Sequence, residues 1–107
     1  RRPPLRPPAR VARRWPHPVR LGYLQFQHPR LEEVLVSLWQ EGIREITVVP
    51  AFLSSGTHVW EDIPGILRAM RQNYPGLRLF LTAPLGYDPR LVEVLLDRVR
   101  GERKEVQ

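Results

Sequence analysis

The sequence has no cysteine. Neither a disulfide framework nor a thiolate site can form, so any metal it handles must take nitrogen or oxygen ligands. Long apolar runs are missing as well. No stretch approaches the roughly 20 residues that span a bilayer, and the first residues lack the apolar core of a signal peptide. The expectation is a cytoplasmic protein with no membrane partner. Acid is absent from residues 1–20, which hold seven arginines and no aspartate or glutamate. The formal net charge of +6 therefore belongs to that arm, since the rest of the chain carries ten basic against eleven acidic residues. Nucleic-acid binding through a basic face would have to rest on the arm alone, whose prolines prevent a long helix. A solvated tail is the expected reading, and nucleic acid is not an expected partner. The arm also lacks the serines of a transit peptide.

What is present suits one domain. At 107 residues and 42% hydrophobic content, there is room for one modest core, because short chains bury a smaller share of their surface. An arm over 1–18, partly helical near 8–15, leads into a single domain over 19–107. From Val19 the chain alternates strand and helix patterns. "VRLGYLQF" (19–26) alternates apolar and polar residues and predicts a strand ending before His28-Pro29. "RLEEVLVSLWQEG" then sets Leu31, Val34, Leu35, Leu38 and Trp39 at helical spacing, with Gly42 as the residue after the cap. "EITVVPAFL" (45–53) is a continuous apolar run, the pattern of a parallel strand covered on both faces, with Pro50 ending its ladder early.

A second helix follows, marked by Val59, Ile63, Ile66, Leu67, Met70 and Tyr74, with Pro64 expected in its first turn and a stop at "NYPG". "LRLFLTAPL" (77–85) predicts a third strand. After Asp88-Pro89, a cap followed by proline at the first helical position, a third helix presents Leu91, Val92, Leu95, Leu96 and Val99. Strands starting near 19, 45 and 77 suit βαβ units with right-handed crossovers.

Parallel α/β sheets bind ligands in the crevice outside the carboxyl ends of their strands. The three strands would deliver Gln25, Gln27 and His28; Ser54, Ser55, Gly56, Thr57 and His58; and Pro84 through Asp88, with Leu85 and Gly86 among them. His17 lies at the opposite edge. His58 opens a helix, where unpaired N–H groups and the dipole disfavour an imidazolium. A neutral imidazole there can bind a metal or accept a proton, or simply cap the turn and face water. The small residues before it let the backbone approach a carboxylate or phosphate. Glu61 and Asp62 fit as first-turn acids that favour the dipole.

The stretches "YLQFQHPRLEEVL", "VVPAFLSSGTHVWEDIP" and "APLGYDPRLVEVLLDR" together resemble the short sirohydrochlorin cobaltochelatases and ferrochelatases, of class II chelatase fold. The resemblance runs from about Val19 to Arg98. It implies a three-layer α/β/α protein with a small parallel sheet, acting as a homodimer, that inserts divalent cobalt, or iron or nickel, into a tetrapyrrole in cobalamin or siroheme biosynthesis. The metal is then a substrate, and no organic cofactor is implied. His58 falls on the family's second active-site histidine, implied to bind the metal and help remove pyrrole protons. Gln25 falls where many members have a metal-binding glutamate; an amide offers a neutral oxygen but no negative charge and no general base. Backbone N–H groups of Ser54, Ser55, Gly56, Thr57, Leu85 and Gly86 would hold the macrocycle's carboxylates.

The family's first histidine, in a His-Gly-Ser segment after an N-terminal strand, has no match in residues 1–18. The sheet is therefore expected to lack its first strand, leaving neighbours without a ladder partner. A shifted reading frame upstream of Val11, a shortened chain, or residues outside this sequence each account for that. A non-catalytic relative that binds only metal or tetrapyrrole is the alternative function.

Overall fold

The computed structural model describes residues 7–52, 58–86 and 88–106, with side chains over 9–52, 61–86 and 88–106. The elements run α1 (Pro7–Ala12), α2 (Leu31–Gln40), β1 (Glu45–Val48), α3 (His58–Asn73), β2 (Arg78–Leu81) and α4 (Arg90–Arg100). Strands β1 and β2 pair in parallel, Glu45 opposite Arg78 through Val48 opposite Leu81, and α3 is the connection between them. The α/β class and the small parallel sheet are as the sequence predicts.

Amphipathic spacing decides which faces are buried. Leu35 on α2 and Ile63, Leu67 and Met70 on α3 form one cluster, against which Ile46 and Val48 of β1 and Leu79 of β2 pack. Residues alternate sides along a strand, so Thr47, Val49 and Phe80 fall on the other face, where Val49 and Phe80 are exposed. Among the described residues the third layer is not closed. Helix α4 has no buried residue, and Val92, Leu95 and Val99, spaced along one of its faces, are all exposed.

Chain punctuation fixes the element ends. Gly42 sits at φ +91° after α2; its N–H donates to the Trp39 carbonyl and that of Ile43 to the Leu38 carbonyl, both at 3.0 Å. These are the two bonds of a Schellman cap, which needs the left-handed conformation glycine tolerates. Beyond it the Arg44 guanidinium stacks 3.5 Å from the Trp39 ring centre, whose other neighbour is Tyr74, 5.3 Å between ring centres. The strands are shorter than the apolar runs at 45–53 and 77–85. Pro50 has no N–H to give, yet three bonds continue the pairing past the strand ends: Thr82 to the Val48 carbonyl, Leu85 to Pro50 and Gly86 to Phe52.

Two expectations are corrected. Residues 19–26 do not form a strand of the sheet. Tyr23 instead donates to the Pro29 carbonyl and accepts from the Leu31 N–H, both at 2.9 Å, so its backbone is satisfied by the loop returning into α2 rather than by a neighbouring strand. Gly22 permits this closure: a Cβ there would stand 3.1 Å from the Leu31 Cα. Alternation alone could not distinguish this loop from a strand, because a strand also needs a partner. Pro64, expected in the first turn of its helix, is the seventh residue of α3. Lacking an N–H, it leaves the carbonyl of residue 60 without its helical donor.

Asp88 caps α4 as the sequence predicts. Its carboxylate accepts the Arg90 N–H at 2.9 Å and the Arg90 guanidinium at 2.9 and 2.6 Å, while Pro89 already has helical angles. The side-chain bonds to Arg90, then the backbone bond, hold the Asp88 carboxyl down from its ordinary 3.8 to about 2.

Leu35→Ala removes a side chain only 1% exposed and is expected to cost about 2–5 kcal/mol in urea unfolding, whereas Val99→Ala on α4 should stay within roughly 0.5 kcal/mol. The depressed Asp88 value means that its contribution to stability is present above pH 3.8 and lost as pH falls through about 2. A carboxyl NMR titration should find that low midpoint and see it rise in Arg90→Met; an ordinary midpoint in the unaltered chain would contradict the capping geometry.

Candidate functional site

Because β1 and β2 run in parallel, their carboxyl ends lie at one edge, and the chain leaves that edge twice to begin α3 and α4. Beside it, between the first turn of α2 and the first three turns of α3, opens a cleft of about 490 Å³ lined by Leu24, Gln25, Arg30, Glu32, Glu61, Asp62, Gly65, Ile66 and Arg68. That volume falls within the roughly 300–1,000 Å³ of small-molecule sites. Two helix N-termini meet near it, and Gly65 contributes no side chain to narrow it.

The cleft is lined by both signs of charge. Arg30 reaches across the loop to the Leu24 carbonyl at 3.4 Å, a weak tether that leaves most of its donors for a ligand. Glu32, Glu61 and Asp62 supply the acidic part of the lining. Glu32 is distinctive: its Oε1 is buried and has no hydrogen-bond partner. A carboxylate oxygen withdrawn from water without a donor is costly, on the order of 1–3 kcal/mol or more, and is a ready acceptor for a hydrogen bond.

Of the expected site residues, Gln25 lies on the cleft wall, exposed. Ser54, Ser55, Gly56, Thr57 and the imidazole of His58 lie outside the described residues. The backbone of His58 opens α3, and helical spacing sets that position one turn before Glu61 and Asp62, at the end of the cleft. Leu85 and Gly86 sit at the sheet edge, but their N–H groups already donate to the Pro50 and Phe52 carbonyls at 2.9 and 2.8 Å. Those two amides are not available to a carboxylate. His28 holds Glu33 through Nδ1 at 2.6 Å with its side chain 76% exposed, and it does not line the cleft. His17 packs edge-on against Trp15 in the arm.

Glu32, Arg30 and Arg68 were not singled out by the sequence. Glu32 reads as one more polar position of an amphipathic helix, and the burial of one of its oxygens appears only in the folded chain. Among the described residues no three histidine, aspartate or glutamate side chains converge as a ready-made metal cage, and no helix is long and apolar enough to cross a membrane.

Comparison with known proteins gives this geometry a family. The family model described as CbiX matches residues 9–102. A sirohydrochlorin cobaltochelatase from Saccharolobus islandicus is 37% identical over 87 residues, 76% of this chain and 68% of that protein. Proteins of the same name from Sulfurisphaera tokodaii and Methanothermobacter thermautotrophicus are each 32% identical, over 85% and 79% of this chain and 72% and 70% of their own lengths. A solved CbiX protein from Marinobacter aquaeolei superposes with a TM-score of 0.65 at 29% identity, covering 74% of this chain and 65% of that one. The chain thus spans just under two thirds of that solved protein. With a match across most of its length and the parallel α/β arrangement in common, the chain belongs to the CbiX family, of class II chelatase-like fold.

Proposed function

We propose that this chain is a sirohydrochlorin chelatase that passes divalent cobalt into the tetrapyrrole in cobalamin biosynthesis. The observation that carries the reading is the cleft between α2 and α3, lined by Gln25, by Glu32 with its unpartnered carboxylate oxygen, and by Arg30 and Arg68, along the helix that His58 opens. Relatives named cobaltochelatases favour cobalt over iron or nickel. The metal is a substrate here, so a site that holds it loosely suits the task better than a closed cage.

Insertion exchanges one Co²⁺ for two pyrrole N–H protons and involves no redox step. Two acceptors are required. A neutral His58 imidazole is one, by its position at a helix N-terminus, and Glu32 is suited to be the other. Gln25 offers only a neutral oxygen to the ion. Arg30 and Arg68 complement the macrocycle's peripheral carboxylates, with amides of residues 54–57 as further donors. The reaction is set in the cytoplasm, in a homodimer. A binding-only relative is the second reading, favoured by the glutamine at position 25.

Mixing the chain with sirohydrochlorin and Co²⁺ and following absorbance separates the two: metal-dependent product supports the chelatase, and a spectral shift without product supports binding alone. His58→Ala is expected to reduce the insertion rate at least about a hundredfold, the low end of what one acid–base group contributes. Equal rate and equal Co²⁺ affinity in that variant would remove His58 from the site.

A further inference from the structure

The loop that forms one wall of the cleft carries a feature that neither packing nor the proposed chemistry has used. Gln27 donates its N–H to the Gln25 carbonyl at 2.8 Å, and the residue enclosed, Phe26, has φ +65°. A two-residue hydrogen bond around a positive φ is the γ-turn that L residues adopt least readily, because Cβ crowds the backbone. Phe26 is a bulky residue where glycine or asparagine would be the easy choice. The residue is 99% exposed, the highest value of any large apolar residue described.

Singly exposed apolar side chains need no explanation in general, and α4 carries several. Phe26 differs in three ways that coincide. It is fully in solvent, its backbone is held in a conformation the residue disfavours, and it immediately follows Gln25 on the cleft wall while Arg30 closes the same loop. Strain at one position on a binding-cleft loop is a recurrent mark of a residue held in place for a ligand. The loop is fixed at both ends by the Tyr23 bonds to Pro29 and Leu31, so the ring is presented from a closed frame and not from a free chain.

We infer that Phe26 is a binding residue that stacks on the flat face of the tetrapyrrole at the rim of the cleft, orienting the macrocycle so that its ring nitrogens face inward and its carboxylates reach Arg30. This inference rests on the chelatase reading. A conjugated macrocycle is the ligand class that gains most from one exposed aromatic face, since stacking needs only a second π surface and tolerates the lack of any enclosing pocket.

Titrating metal-free sirohydrochlorin into the full chain, with the macrocycle's own absorption as readout, tests this without metal or turnover. Phe26→Ala is expected to weaken binding about tenfold and Phe26→Trp to hold it within about threefold, the range that one stacking aromatic contributes. Phe26→Gly should bind as poorly as the alanine variant while its urea midpoint equals or exceeds that of the unaltered chain, because glycine relieves the left-handed backbone. Alanine and unaltered chain binding equally well would overturn the role of Phe26 and leave the chelatase reading standing. No binding to the unaltered chain would overturn both.

Discussion

The burial of two helix faces against one side of a two-stranded parallel sheet is the constraint on which the rest of this structure depends. Two paired strands alone do not hold together in water. Leu35 from α2 and Ile63, Leu67 and Met70 from α3 supply the apolar contact that makes the pairing stable, with Ile46, Val48 and Leu79 as its floor. That packing also fixes the relation between the N-terminal turns of the two helices. The cleft is the space left where they diverge, so its amide, carboxylates and arginines are placed by the same contacts that hold the fold.

The opposite side of the sheet shows what happens without such contact. Val49 and Phe80 face outward, and α4 contributes no buried residue despite a well-formed apolar row. An amphipathic helix is a request for a partner surface, and here the request is unanswered within the described chain. The same logic accounts for residues 19–26. Their alternation is that of a strand, but a strand exists only as half of a pair, and the Tyr23 backbone is satisfied by the loop into α2.

Much of the fold was therefore legible in the sequence, and the part that was not has a physical reason. Helical spacing marked α2, α3 and α4; Gly42 and Asp88-Pro89 marked ends that the Schellman bonds and the Asp88 cap reproduce; Pro50 marked the early end of β1. Pattern could not say whether a neighbour exists, which is why the first strand and the outer layer differ. At the site, Gln25 lies on the cleft wall, while the imidazole of His58 and residues 54–57 lie outside the described residues. Glu32 was hidden, since burial of one oxygen is a property of packing and not of residue type. Leu85 and Gly86 were placed at the correct edge, but hydrogen bonds to Pro50 and Phe52 that no spacing reveals had already taken their amides.

The chemistry that follows depends on location more than on any single ligand. A loosely held divalent ion, two proton acceptors and a flat polyanionic partner must meet within one cleft at the start of α3. Cobalt(II) is paramagnetic, so backbone amide spectra recorded during its addition report directly where it binds. The account predicts broadening and shifts centred on Gln25, Glu32 and the first two turns of α3, with α4 and the arginine-rich arm unaffected. Perturbations centred on α4, on the arm or on the Trp39–Tyr74 end of the helices, with the cleft silent, would contradict it.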